Sequence, residues 1–213
     1  MSTGPRQLCV IACGALANEL NELRTIHGFD NLHVECLPGK LHNHPEQIPT
    51  AVRDRVRRAR QHYDEVLVGY ADCGTGGLLD RVCADEGVER LAGAHCYEFF
   101  AGSARFAELH EDQLGTFYLT DYLANHFDRL VWRGFGLDKH PQLVEMMFGN
   151  YTRVVLLTQT DSPSVHGAAT GAAKRLDLPL EILHAGYGQL ETEIVHFVRG
   201  PVSLAPEAGT RAR

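Results

Sequence analysis

What this chain lacks narrows its class before any motif is considered. Its six cysteines include no CxxC pair, so a zinc ribbon or a thioredoxin-type site is not indicated. No apolar run approaches the ~20 residues of a membrane-spanning helix. The N-terminal MSTGPRQ runs straight into an apolar segment without a signal-peptide pattern. The expectation is therefore a cytoplasmic protein with no membrane partner and with reduced cysteines rather than a disulfide framework. Basic charge is also short. Twenty Lys and Arg against 27 Asp and Glu leave a net charge of −7, the wrong balance for a protein whose main partner is nucleic acid. There is no GxGxxG, no P-loop and no DxHxxG run of the base-off cobalamin type.

What is present is a regular alternation of short apolar, β-branched runs and amphipathic stretches. Strands are expected at Leu8–Ala12, Leu32–Leu37, Val66–Val68, Val88–Leu91, Thr116–Leu119, Arg153–Leu157 and Leu180–Leu183. Helices are expected between them, including an aromatic-rich one over Tyr97–Leu109 and one capped by Thr120. This pattern predicts an α/β fold of Rossmann-like type, with a mainly parallel sheet or sheets and helices on both faces. The 213 residues suffice for one domain over 1–204, with two strand–helix halves able to split near Gly115. Residues 205–213 read as a disordered tail. Arg53, Arg55, Arg57, Arg58 and Arg60 fall within one helix and read as a solvated face.

The chain is organised around Glu65–Asp80, EVLVGYADCGTGGLLD: a strand, a glycine-rich turn, then a helix. In that geometry backbone N–H groups and a helix N-terminus can face a ligand. Gly74, Thr75, Gly76 and Gly77 are thus candidates to hold an anionic group. The duller reading is a tight turn with a buried Cys73. The other cysteines bear on the choice. Cys13, Cys36, Cys73 and Cys96 fall at or just after expected strand ends, whereas Cys9 and Cys83 read as core residues. A parallel sheet gathers its carboxyl-end loops at one edge, and thiolates converging there bind zinc, iron or an iron–sulfur cluster. Cys36 is the weakest member, because strand alternation can turn it into the core. His42, His44, His95, Glu98 and Asp72 lie beside these cysteines as candidate ligands or acid–base groups. A thiol at a helix N-terminus would also be an activated nucleophile without any metal, and Cys13 and Cys73 both qualify.

ACGAL at 12–16, ECLP-x-x-LHN at 35–43, VGYADCGTGGLLD at 68–80, HCYEFFAG at 95–102, TFYLTDYL at 116–123 and FGNY at 148–151 together resemble a bacterial and archaeal family. It is catalogued as domain of unknown function 1638. The resemblance covers nearly the whole chain. It implies functional residue types at Cys13, His42, Asp72, Cys73, Cys96 and Glu98, and a setting beside corrinoid-dependent methyl transfer from methylated amines. It implies no reaction.

Two functions are compatible with these residues. In the first, Cys13, Cys73 and Cys96 hold a mononuclear zinc or iron, or a [4Fe–4S] cluster, in an enzyme acting on a small-molecule substrate. Glu98, His42 and Asp72 would then be its catalytic groups. In the second, the chain is an accessory protein that binds metal, corrinoid or folate for a methyl-transfer partner. Both leave a homo-oligomer open.

Overall fold

The computed structural model describes residues 5–200 and contains two parallel sheets. The tail expected from residue 205 lies outside the described residues. The first half runs β1 (Leu8–Cys13), α1 (Ala17–His27), β2 (Leu32–Leu37), α2 (Ile48–Ala59), β3 (Glu65–Gly69), α3 (Leu78–Glu86) and β4 (Glu89–Arg90). Its sheet has the order β2-β1-β3-β4. Two helices follow, α4 (Glu98–Ala101) and α5 (Ser103–Asp112). The second half runs β5 (Thr116–Thr120), α6 (Asp121–Asn125), a π-helical segment at Asp128–Trp132, α7 (Gln142–Phe148), β6 (Arg153–Thr158), α8 (Pro163–Leu176), β7 (Leu180–His184) and α9 (Gly188–Arg199). Its sheet has the order β5-β6-β7. Both sheets are wholly parallel, as the strand–helix alternation predicts.

β1 is the centre of the first half, and all six of its residues are buried. Its period of two splits them between two layers. Leu8, Val10 and Ala12 meet Leu16, Leu20 and Leu23 on one face. Cys9, Ile11 and Cys13 meet Ile48, Val52 and Val56 of α2 on the other. A strand covered on both faces needs this continuous apolar run. Cys9 and Cys83 are core residues as expected. Cys36 pairs with Ala12 in the ladder and packs with the α1 layer, on the face opposite Cys13. The arginines of α2 are more than a solvated face: Arg53 and Arg57 pair with Glu86, and Arg55 with Glu35. These bonds tie α2 to α3 and β2.

The chain does not separate cleanly into halves. α9 follows the last strand of the second sheet yet returns to the first half, where Leu190 and Ile194 join the α1 layer. Tyr97, Ala101 and Phe106 in turn pack against Tyr118, Val155 and Leu157 of the second sheet. The aromatic stretch expected as one helix is two, α4 and α5. They are divided at Gly102, whose φ of 76° and ψ of 147° leave the helical region.

No helix among the described residues is long and apolar enough to cross a membrane. The return of α9 depends on Gly188, which has φ 49°. A Cβ there would collide with the carbonyl oxygens of Phe99 and Phe100. Gly188→Ala is therefore expected to lower stability by about 2–4 kcal/mol, from backbone strain plus the clash. A shift of the urea midpoint to lower denaturant checks this; an unchanged midpoint would show that α9 is not firmly docked.

Candidate functional site

Three strand ends build the site. β1 ends in Cys13. β3 runs through Tyr70, Ala71 and Asp72 to Cys73. The segment after β4 carries Cys96. Two backbone hydrogen bonds join the second and third of these: Asp72 N–H donates to Gly93 O at 3.0 Å, and Cys73 N–H to Ala94 O at 2.8 Å. The consequence is a contact of 3.0 Å between Cys73 Sγ and Cys96 Sγ. That is longer than the ~2.05 Å of a disulfide, and both cysteines are free. Either sulfur can donate to the other. Cys96 stabilises the Cys73 thiolate and holds its pKa below the usual thiol value, while Cys96 itself is pushed well above it by Cys73 and by burial.

Cys73 has φ 49°, the left-handed region. For a residue with a Cβ this costs roughly 1–2 kcal/mol, and such strain tends to collect at functional sites. The turn behind it is closed by Asp72. Its Oδ1 accepts from the Thr75 hydroxyl at 2.7 Å and Gly77 N–H at 2.8 Å, and its Oδ2 from Gly76 N–H at 3.1 Å. The expected anion cradle thus already has an occupant: the N–H groups of Gly76 and Gly77 bind the chain's own carboxylate. Gly74, Thr75, Gly76 and Gly77 lie outside the cavity described below. Nor does Cys73 stand at a helix N-terminus, since α3 starts at Leu78 behind Gly77. Its lowered pKa arises first from Cys96, not from a helix dipole.

Cys13, Cys73 and Cys96 line one cavity of about 60 Å³. Cys13 Sγ accepts from Ala15 N–H at 3.5 Å, and burial, reinforced by Cys73, pushes its pKa up to about 11. Beside it lies Tyr70, 1% exposed, whose hydroxyl has no hydrogen-bond partner of good geometry among the described residues. His42 and His95 stand at the cavity rim, both open to solvent. The bulk of the surrounding protein, with His95 nearby, holds the His42 pKa below the usual histidine value. The second half closes the space with Tyr118, Tyr122, Leu123 and Leu130. Asn43 Nδ2 donates to Leu130 O at 2.9 Å and fixes the His42 loop to that half. Among the described residues, no Lys, Arg, Asp or Glu lines the cavity. Its titratable lining is made of thiols, imidazoles and tyrosine hydroxyls.

Glu98 and Asp72 act from outside. Glu98 is 9% exposed. Its Oε1 accepts from His95 N–H at 3.1 Å and its Oε2 from Ala94 N–H at 3.3 Å. It therefore shapes the segment that presents Cys96. His44 pairs with Glu46 at the surface, away from the thiols. The wall of Tyr70, Tyr118 and Tyr122 is a part of the site that sequence reasoning misses. The signal is in view, in the VGYAD and TFYLTDYL stretches, but nothing local says that the second half faces the first. Among the described residues, no group of three or more His, Cys, Asp or Glu is already drawn into metal-holding geometry. The three thiols and two imidazoles share a cavity without converging on one point. As a donor set they fit a soft or borderline metal.

Fold and site together define a two-sheet α/β protein with a thiol-lined cavity at the carboxyl ends of its strands. The chain belongs to the family described as Protein of unknown function (DUF1638), whose model matches residues 36–194. No curated protein matches the sequence.

The turn gives a pH-dependent prediction. Gly77 N–H, then Thr75 and Gly76, hold the Asp72 pKa below its ordinary 3.8. Its contribution to stability is thus present above that value and is lost as pH falls through the lower folded value. Asp72→Ala should cost about 1–2 kcal/mol at neutral pH, as loss of a capping carboxylate does. The gap from wild type should narrow as pH falls below 3.8. Thermal melts across pH test this. A gap that persists undiminished in acid would mean that the carboxylate charge is not what holds the turn.

Proposed function

We propose that this chain is a metal-dependent enzyme acting on a small molecule, with a centre held by the thiolates of Cys13, Cys73 and Cys96. The supporting observation is that three cysteines from three separate strand ends line one apolar cavity. Burial alone would have been satisfied by scattered core positions such as those of Cys9 and Cys83. Either a mononuclear zinc or iron(II) or a [4Fe–4S] cluster is compatible with three thiolates. Once bound, such a group would supply Lewis-acid activation of a substrate or water at its remaining position.

The residues of the chain have separate tasks in this reading. His42, at the rim, either completes the ligand shell or carries a proton to and from the substrate. Asp72 and Glu98 position Cys73 and Cys96 rather than exchange protons. The tyrosine wall excludes water, and the Tyr70 hydroxyl is available to hydrogen-bond a ligand. The cavity, about 60 Å³, has room for a metal and a small ligand. Free thiols at the site fit a reducing compartment such as the cytoplasm.

Protein purified without oxygen is expected to carry near-stoichiometric metal. Zinc would be colourless, and a cluster would absorb broadly near ~400 nm. Cys13→Ser, Cys73→Ser and Cys96→Ser should each lose that metal, because a hydroxyl is a poor replacement for thiolate on such ions. Cys9→Ser should keep it. Metal-free wild type, or metal retained in all three variants, contradicts the proposal. Glu98→Gln separates a ligand from a positioning group. It should keep the metal and lower stability by about 1–2 kcal/mol through the two weakened amide bonds. Loss of metal in that variant would make Glu98 a ligand.

A further inference from the structure

We propose that Cys73 and Cys96 form a reversible dithiol–disulfide couple, and that the disulfide and the metal-bound state exclude one another. The couple rests on the sulfur pair itself and holds whether or not a metal binds; the exclusion rests on the metal centre proposed above. The two sulfurs are 3.0 Å apart, so closing them to a bond needs about 1 Å of movement. Their separation is not left to side-chain chance. The amides of Asp72 and Cys73 are bonded to the carbonyls of Gly93 and Ala94, which locks the two segments side by side. The left-handed backbone of Cys73 fixes where its side chain leaves the turn. Neither cysteine is fully buried, and both border the cavity. No such arrangement exists for Cys9 or Cys83, which are sealed in the core.

The oxidant class is a small-molecule disulfide, RSSR. One thiolate of the pair attacks a reagent sulfur, the reagent S–S bond breaks, and RS⁻ leaves and takes a proton. The second cysteine loses its proton to solvent and attacks the mixed disulfide at the protein sulfur. The Cys73–Cys96 bond forms and a second RS⁻ departs and is protonated in turn. The dithiol has lost two electrons and two protons, and RSSR has become two RSH. Intracellular disulfides of this kind are transient and redox-sensing rather than structural. Here the bond would remove two of the three thiolates from the candidate centre and staple the glycine turn to the segment bearing Cys96.

The test uses the full chain stripped of metal by a chelator and exposed to glutathione disulfide. Remaining thiols are then alkylated, and the links are mapped by peptide mass spectrometry. Wild type should lose two of its six thiols to a Cys73–Cys96 link within one chain, reversed by dithiothreitol. Cys13→Ser should form the same link. Cys96→Ser should instead hold glutathione on Cys73. Six surviving thiols, a link through Cys13, or a link between chains overturns the couple. Zinc is then offered to reduced and oxidised wild type. Uptake by the reduced form alone supports mutual exclusion, and equal uptake by both overturns it. A mapped Cys73–Cys96 link in protein whose reduced form takes up no metal would sustain the couple while removing the metal reading, so the two fail separately.

Discussion

Two hydrogen bonds, from the amides of Asp72 and Cys73 to the carbonyls of Gly93 and Ala94, hold the site together. They extend the pairing of β3 and β4 past the end of the regular ladder, which stops after the two residues of β4. Each is worth only about 1 kcal/mol net, comparable to the cost of the left-handed backbone at Cys73. The Asp72 carboxylate on one side and the Glu98 carboxylate on the other supply the remaining restraint. Two acidic side chains thus act on the thiols by shaping backbone. N–H and O–H donors share their charge, although Asp72 still opposes a negative charge on Cys73.

The second half completes what the first begins. The strand ends of the first sheet supply the sulfurs, while β5, α6 and the segment beyond it supply the opposing wall. The arrangement is not optimal for stability. The buried hydroxyls of Tyr70 and Tyr118 have no partner of good geometry among the described residues, and a buried polar group left unpaired costs about 1–3 kcal/mol. Glu19, at the start of α1, adds a similar cost. It is 5% exposed, and burial, with Asp121 of the second half adding to it, raises its pKa to about 7.

The fold is legible in the sequence because period and punctuation carry it. Alternating apolar runs mark the strands, the left-handed stop at Gly28 ends α1, and Thr120 caps α6 by accepting from Leu123 N–H. The placement of Cys13, Cys73 and Cys96 follows from the rule that a parallel sheet collects its carboxyl ends. What the sequence does not disclose is the partners of loop groups. GTGG reads equally as an anion cradle or as a turn closed by the preceding aspartate, and only the folded chain shows Asp72 taking those N–H groups. Nor does the position of Glu98, two residues after Cys96, disclose that it accepts from the N–H groups of Ala94 and His95. The break at Gly102 is hidden in a run whose helical period continues on both sides. The tyrosine wall depends on how the two sheets face each other, which no local pattern encodes.

The most direct test of the central claim is X-ray absorption at the edge of whatever metal the anaerobically purified protein carries. The account predicts a sulfur-dominated first shell at about 2.3 Å: three thiolate sulfurs if Cys13, Cys73 and Cys96 hold one ion, and about four per iron, most of them the cluster's own sulfides, if they hold a [4Fe–4S] cluster. A first shell of nitrogen and oxygen alone would contradict it, and would leave the three cysteines as neighbours without a shared task.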